Sequence, residues 1–113
     1  MNEWVTQLRK GLLEFSILSL LSGGEAYGYT IVQRLQEIEP LATTESTVYP
    51  ILARLLKDGF LKVRVVPSNE GPPRRYFSLT VFGKHRVREM GDYWDELNAS
   101  LDRLRGNEKG DDK

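Results

Sequence analysis

The chain has no cysteine and only one histidine, His85, among its 113 residues. The first absence removes disulfides, thiolate nucleophiles and cysteine-based zinc sites. The second removes every metal motif that needs a histidine pair. A phosphate-cradling glycine loop and a nucleophile beside a base are also missing, so neither an enzyme nor a cofactor is expected. Hydrophobic residues make up 40% of the chain, enough for one modest core but not for a large enzyme with a buried cleft. Its length fits one domain.

Long hydrophobic runs are scarce too. The stretch "RKGLLEFSILSLLSGG", Arg9 to Gly24, has the outline of a secretion signal. Glu14 interrupts it, and the run falls short of the roughly 20 apolar residues that span a bilayer. A buried first helix is the better reading, and with it a cytoplasmic protein.

Net charge of either sign is absent overall, yet the charge is unevenly placed. Residues 1–53 carry three basic and six acidic side chains, and residues 89–113 carry four and eight. Residues 54–88 carry nine basic and two acidic ones, a local excess of +7. Local fields, more than the total, decide whether a polyanion is attracted. Within this span Lys84, Arg86 and Arg88 are read as a solvated helix face.

Apolar spacing orders the elements. A first helix runs from about Val5 to Ser22, with Leu8, Leu12, Phe15, Leu18 and Leu21 on one face. Leu13, Ile17 and Leu20 widen that face, so the helix must be covered on more than one side. A second helix spans about Tyr27 to Glu39, with Ile31, Val32, Leu35 and Ile38 inward and Pro40 closing it. Gly28 near its start is read as close packing against the first helix. A third helix follows Thr44, whose hydroxyl is expected to cap it, and stops at Gly59. Beyond Gly59 the period alternates. Two strands, Leu61 to Val66 and "RRYFSLT", flank the turn-rich "PSNEGPP" and read as a hairpin. A long helix then runs from a Thr80 cap to Arg105, and the tail from residue 106 is read as disordered.

The third helix has an unusual outer side. Val48, Ile51, Leu52, Leu55 and Leu56 form its inward stripe. The opposite line is Ser46, Pro50, Ala53 and Lys57, flanked by Thr47, Tyr49 and Arg54. Solvated faces are usually rich in Glu and Lys, whereas a helix that reads base edges needs small residues to approach closely. Ser46, Thr47 and Tyr49 supply hydroxyls, Arg54 suits guanine or phosphate, and Lys57 suits phosphate. Arg74 and Arg75, just after the hairpin loop, fit phosphates or a minor groove. Pro50 lacks the N–H that would bond the Ser46 carbonyl, which should bend the first turns.

In the long helix Val87, Met90, Trp94, Leu97, Leu101 and Leu104 are spaced 3, 4, 3, 4, 3, a heptad seam. Asp92, Asp95 and Glu96 flank that seam and are not read as paired catalytic carboxylates. About 25 residues extend roughly 37 Å, more than a small domain covers, so the seam is expected to meet a second copy. The fold expected is mainly α with a small β-hairpin. Residues 1–80 form a winged helix-turn-helix, residues 81–105 a C-terminal dimerisation helix and residues 106–113 the tail.

The stretches "GLLEFSILSLL", "AYGYTIVQRL", "STVYPILARLLKDGFL" and "RRYFSLTVFGK" resemble the PadR family of bacterial transcriptional regulators, over about Leu8 to Leu104. The single C-terminal helix is similar to the family's short subgroup. The resemblance implies a homodimeric repressor on a palindromic operator of double-stranded DNA, often near its own gene or an adjacent transporter or detoxification gene. It implies DNA contacts from Ser46, Thr47, Tyr49 and the wing arginines, and dimerisation through the last helix with help from the first. Some members release DNA on binding small, often aromatic, molecules. Trp94 on the seam suits sandwiching such an effector across a two-fold axis, and equally suits packing alone. The rival reading is a winged-helix dimeric protein–protein interaction module without specific DNA binding, which Glu45 and the near-neutral total charge keep open.

Overall fold

The computed structural model describes residues 3–106. Its four helices and its hairpin follow the order the apolar spacing predicts, with a short strand and a 3-10 turn added. They are α1 (Glu3–Leu21), β1 (Ala26–Tyr27), α2 (Gly28–Glu37), a single 3-10 turn (Glu39–Leu41), α3 (Glu45–Lys57), β2 (Leu61–Val66), β3 (Arg74–Leu79) and α4 (Val81–Leu104). The expected tail falls on residues 107–113, outside the described span, apart from Gly106.

Two local expectations are corrected. The hairpin is part of a three-stranded antiparallel sheet in the order β1-β3-β2. The short β1 pairs Ala26 with Phe77 and Tyr27 with Tyr76, so β3 is central. Two residues are too few to show alternation, and "AYGY" merges into the helical pattern that follows. The second helix also ends earlier than expected. Ile38 leaves it with an extended backbone, and Pro40 sits in the first positions of the 3-10 turn, where no N–H is required.

The core gathers one face from each helix and the base of the sheet. Leu13, Ile17, Leu18 and Leu21 of α1 meet Ile31, Val32 and Leu35 of α2, Val48, Leu52 and Leu55 of α3, and Leu61, Phe77 and Leu79. Burying each such side chain contributes about 1.5–3 kcal/mol. Leu8 and Ile38, both expected inward, are exposed. Helix α1 is apolar on two sides: Leu13, Ile17 and Leu21 face the core, while Leu8, Leu12 and Phe15 face toward α4.

The corner between α3 and α4 is tightly fixed. Helix α3 ends in a left-handed glycine, Gly59, at φ 85°. The Phe60 N–H donates to the Leu55 carbonyl at 3.0 Å and the Gly59 N–H to Leu56 at 3.1 Å, the paired bonds of a Schellman cap. The Thr80 hydroxyl donates to the Gly59 carbonyl at 2.6 Å and accepts from the Gly83 N–H at 3.0 Å, the expected cap of α4. A Cβ on Gly83 would lie 2.1 Å from the Phe60 carbonyl oxygen, so only glycine fits there. The long helix is thereby anchored on the end of α3.

Candidate nucleic-acid interface

Helix α3 runs unbroken from Glu45 to Lys57 through Pro50. Ser46, Thr47, Tyr49, Pro50, Ala53, Arg54 and Lys57 are all exposed, as their helical spacing predicts. Thr44 occupies the N-cap position, but its hydroxyl does not bond a backbone N–H. It lies 2.9 Å from the Ser46 hydroxyl and 3.5 Å from that of Thr47, forming a small hydroxyl cluster at the helix tip. The neighbouring side-chain hydroxyls outcompete the cap.

Arg54 and Lys57 differ in freedom. The Arg54 Nη1 donates to Glu14 Oε1 of α1 at 2.9 Å, so Arg54 leans away from the tip toward the first helix. Glu14 also lies 3.6 Å from Arg86 of α4, and Arg86 stacks over Phe60 at 4.2 Å. Arg86 is therefore half-buried, and the expectation of a solvated position fails for it. Lys57 has no ion pair or hydrogen bond among the described residues.

The two hairpin arginines open β3 opposite Val66 and Val65, beyond a loop that turns at Gly71. Consecutive strand residues point to opposite faces, which separates them. Arg75 shares the face of Phe77 and lines a concavity of about 440 Å³ with Tyr49, Leu52, Ala53 and Leu56. Arg74 lies on the other face, its guanidinium 5.3 Å over the Tyr27 ring. On that same face Arg64 stacks 5.0 Å over Tyr76 and binds Glu25 through two bonds of 3.0 and 2.7 Å. The hydrogen bond from Arg64 holds the Glu25 carboxyl below the usual carboxylate range, with the charges of Arg64 and Lys62 adding to it.

Tyr49 is seated from behind. A Cβ on Gly28 would lie 3.2 Å from the Tyr49 ring, 3.3 Å from the Phe77 ring and 3.4 Å from the Tyr49 hydroxyl. The atoms nearest an added Gly28 side chain thus belong to α3 and β3, whereas its position in the sequence suggests the first helix. Burial raises the Tyr49 pKa above the ordinary tyrosine value, helped by the Glu45 charge and by Tyr27 and Tyr29. Its hydroxyl is therefore a proton donor at any physiological pH.

At the far end the heptad seam divides in two. Val87 and Met90 pack on the chain's own core, and the Trp94 ring lies 6.3 Å from Phe15 of α1. Leu97, Leu101 and Leu104 remain exposed, together with Trp4, Leu8 and Tyr93. Between α1 and α4 lies a groove of about 480 Å³ whose apolar walls include Leu8, Leu12, Phe15, Met90, Trp94 and Leu97. No helix among the described residues is long and apolar enough to cross a membrane.

The sequence model of the transcriptional regulator PadR-like family matches residues 17–89. The crystal structure of a PadR-like transcription factor from Bacteroides fragilis is 39% identical, with a TM-score of 0.77 over 91% of this chain and 99% of that one. Bacillus subtilis PadR, solved in complex with operator DNA, is 28% identical with a TM-score of 0.65. The match covers 70% of this chain and 46% of that one. The negative transcriptional regulator PadR of Bacillus subtilis (strain 168) is 29% identical over 80 residues, 69% of this chain and 44% of its own length.

Proposed function

The chain belongs to the PadR-like family of transcriptional regulators, and we propose that it is a cytoplasmic repressor that binds a palindromic operator as a homodimer. The observation that carries this reading is the exposed face of α3, where Ser46, Thr47, Tyr49, Pro50 and Ala53 fill most of the line between Glu45 and Lys57. Ser46, Thr47 and Tyr49 meet base edges in the major groove, while Lys57 and Arg75 neutralise phosphates beside it. Arg74 reaches the flanking backbone from the outer face of the wing. Arg54 contributes once its bond to Glu14 opens. That Bacillus subtilis PadR is solved in complex with operator DNA supports DNA binding by this chain.

Leu97, Leu101 and Leu104 meet their counterparts in the second copy, with Trp4 and Leu8 closing the flank. Such a dimer presents two α3 helices to half-sites about 34 Å apart, one turn of B-DNA. A flat aromatic effector fits the groove beside Trp94 and Phe15, and its binding there shifts the dimer and releases the operator.

Fluorescence anisotropy with duplex DNA from upstream of the gene tests this directly. Specific binding should weaken steeply with salt, by about one power of salt concentration per phosphate neutralised. A dimer that shows no preference for any upstream sequence at low salt would leave the interaction-module reading in its place.

A further inference from the structure

We infer that Gly28 is a positioning residue for operator reading: its missing side chain forms the socket that seats the Tyr49 ring against the groove-facing side of α3. This rests on the repressor reading and adds a residue that the α3 face alone does not contain.

Gly28 is the first residue of α2 and is buried. Its backbone is not in the left-handed region that favours glycine, and alanine is a better helix former. Local conformation therefore gives no reason for glycine here. The reason is space. The nearest atoms to an added Cβ are a Tyr49 ring carbon at 3.2 Å, a Phe77 ring carbon at 3.3 Å and the Tyr49 hydroxyl at 3.4 Å. The first two separations are tighter than ordinary carbon–carbon contact, which starts near 3.5 Å.

One of the two rings must yield to a methyl group, and they differ in freedom. Phe77 is buried within the core and locked between β1 and β2. Tyr49 is 40% exposed. A methyl group at Gly28 therefore moves the Tyr49 ring outward, carrying its hydroxyl away from its seat over Gly28 at the edge of the concavity it lines with Arg75. A hydrogen bond to a base edge tolerates only a few tenths of an ångström of such motion. Gly28 thus acts on DNA only through the tyrosine it seats.

A double-mutant cycle on the full chain tests this, using Gly28→Ala, Tyr49→Ala and the pair. The probes are the upstream duplex, a scrambled duplex and the thermal midpoint. We expect Gly28→Ala to weaken specific binding about tenfold, with binding to the scrambled duplex unchanged. In the Tyr49→Ala background the added methyl should change specific binding less than twofold, because the ring it displaces is gone. If Gly28→Ala alone fails to fold, the double variant should fold, since removing the ring opens the space. Wild-type affinity retained by Gly28→Ala overturns the inference. So does a tenfold loss that persists without Tyr49, or a double variant that stays unfolded. If the wild type itself prefers no duplex, the repressor reading fails first. The socket is then read by NMR: the Tyr49 ring signals should shift in Gly28→Ala, and unchanged signals overturn it.

Discussion

The two ends of the molecule are both uncovered, but by opposite kinds of side chain. At the α3 tip and wing the exposed groups are mostly hydroxyls and cations, with Tyr49 and the wing valines Val63 and Val65 among them. Along α1 and the outer half of α4 they are Trp4, Leu8, Tyr93, Leu97, Leu101 and Leu104, the last of them 82% exposed. Water solvates most of the first set readily and the second poorly, so the second is the stronger call for a covering surface. The first set instead matches a charged, hydrated partner that arrives and leaves. Exposure alone therefore says little, whereas its chemistry separates a transient nucleic-acid face from a lasting protein face.

Substitutions at each end should have separable effects. Leu97→Asp places a charge in the exposed seam. It should yield monomers by light scattering and lower operator affinity by at least a hundredfold, because a monomer engages one half-site. Retained dimers would dissolve the distinction between the ends. Arg75→Ala should leave the dimer intact, weaken operator binding several-fold and reduce its salt slope by about one, measured by anisotropy. Arg74→Ala, on the opposite face of the wing, should cost less than Arg75→Ala. Equal losses would mean that the two faces of the wing are used alike.

Glu14 joins the ends, since it holds Arg54 of α3 and faces Arg86 of α4. Glu14→Ala should remove less than about 1 kcal/mol of stability, as expected for partly exposed ion pairs. It should also tighten DNA binding several-fold and steepen its salt dependence, because Arg54 is released and a negative charge is lost. Weaker binding would mean that the ion pair is needed to place α3. The smallest effect concerns the Glu25–Arg64 pair. The folded-state pKa of Glu25 lies below its ordinary 4.5, so the pair favours the fold above that value. The contribution fades as pH falls through the folded-state pKa. Glu25→Gln should flatten the acid limb of the stability–pH curve slightly, as read by thermal melts.

Much of this was legible in the sequence, where a physical period carried the signal. The stripe of Val48, Leu52 and Leu55 gave both the buried side of α3 and, by opposition, its outer face. The Thr80 cap and the Gly59 stop depend only on local chemistry and were readable for that reason. What the sequence does not display lies in contacts between residues distant along the chain. The Arg54–Glu14 bond spans 40 residues, and nothing near Arg54 announces it. Arg86 looked solvated because its partners, Phe60 and Glu14, belong to other elements. Arg74 and Arg75 are equivalent in the sequence and differ only through strand pairing, which puts them on opposite faces. Strand β1 is two residues long and has no period to read.

The most direct test of the central claim is an anisotropy titration of the wild-type protein. It compares the upstream duplex with a scrambled duplex of equal length and composition, at two salt concentrations. The account predicts at least a thousandfold preference for the upstream duplex, with affinity for both falling as salt rises. Equal affinity for the two duplexes at both salt concentrations would contradict it.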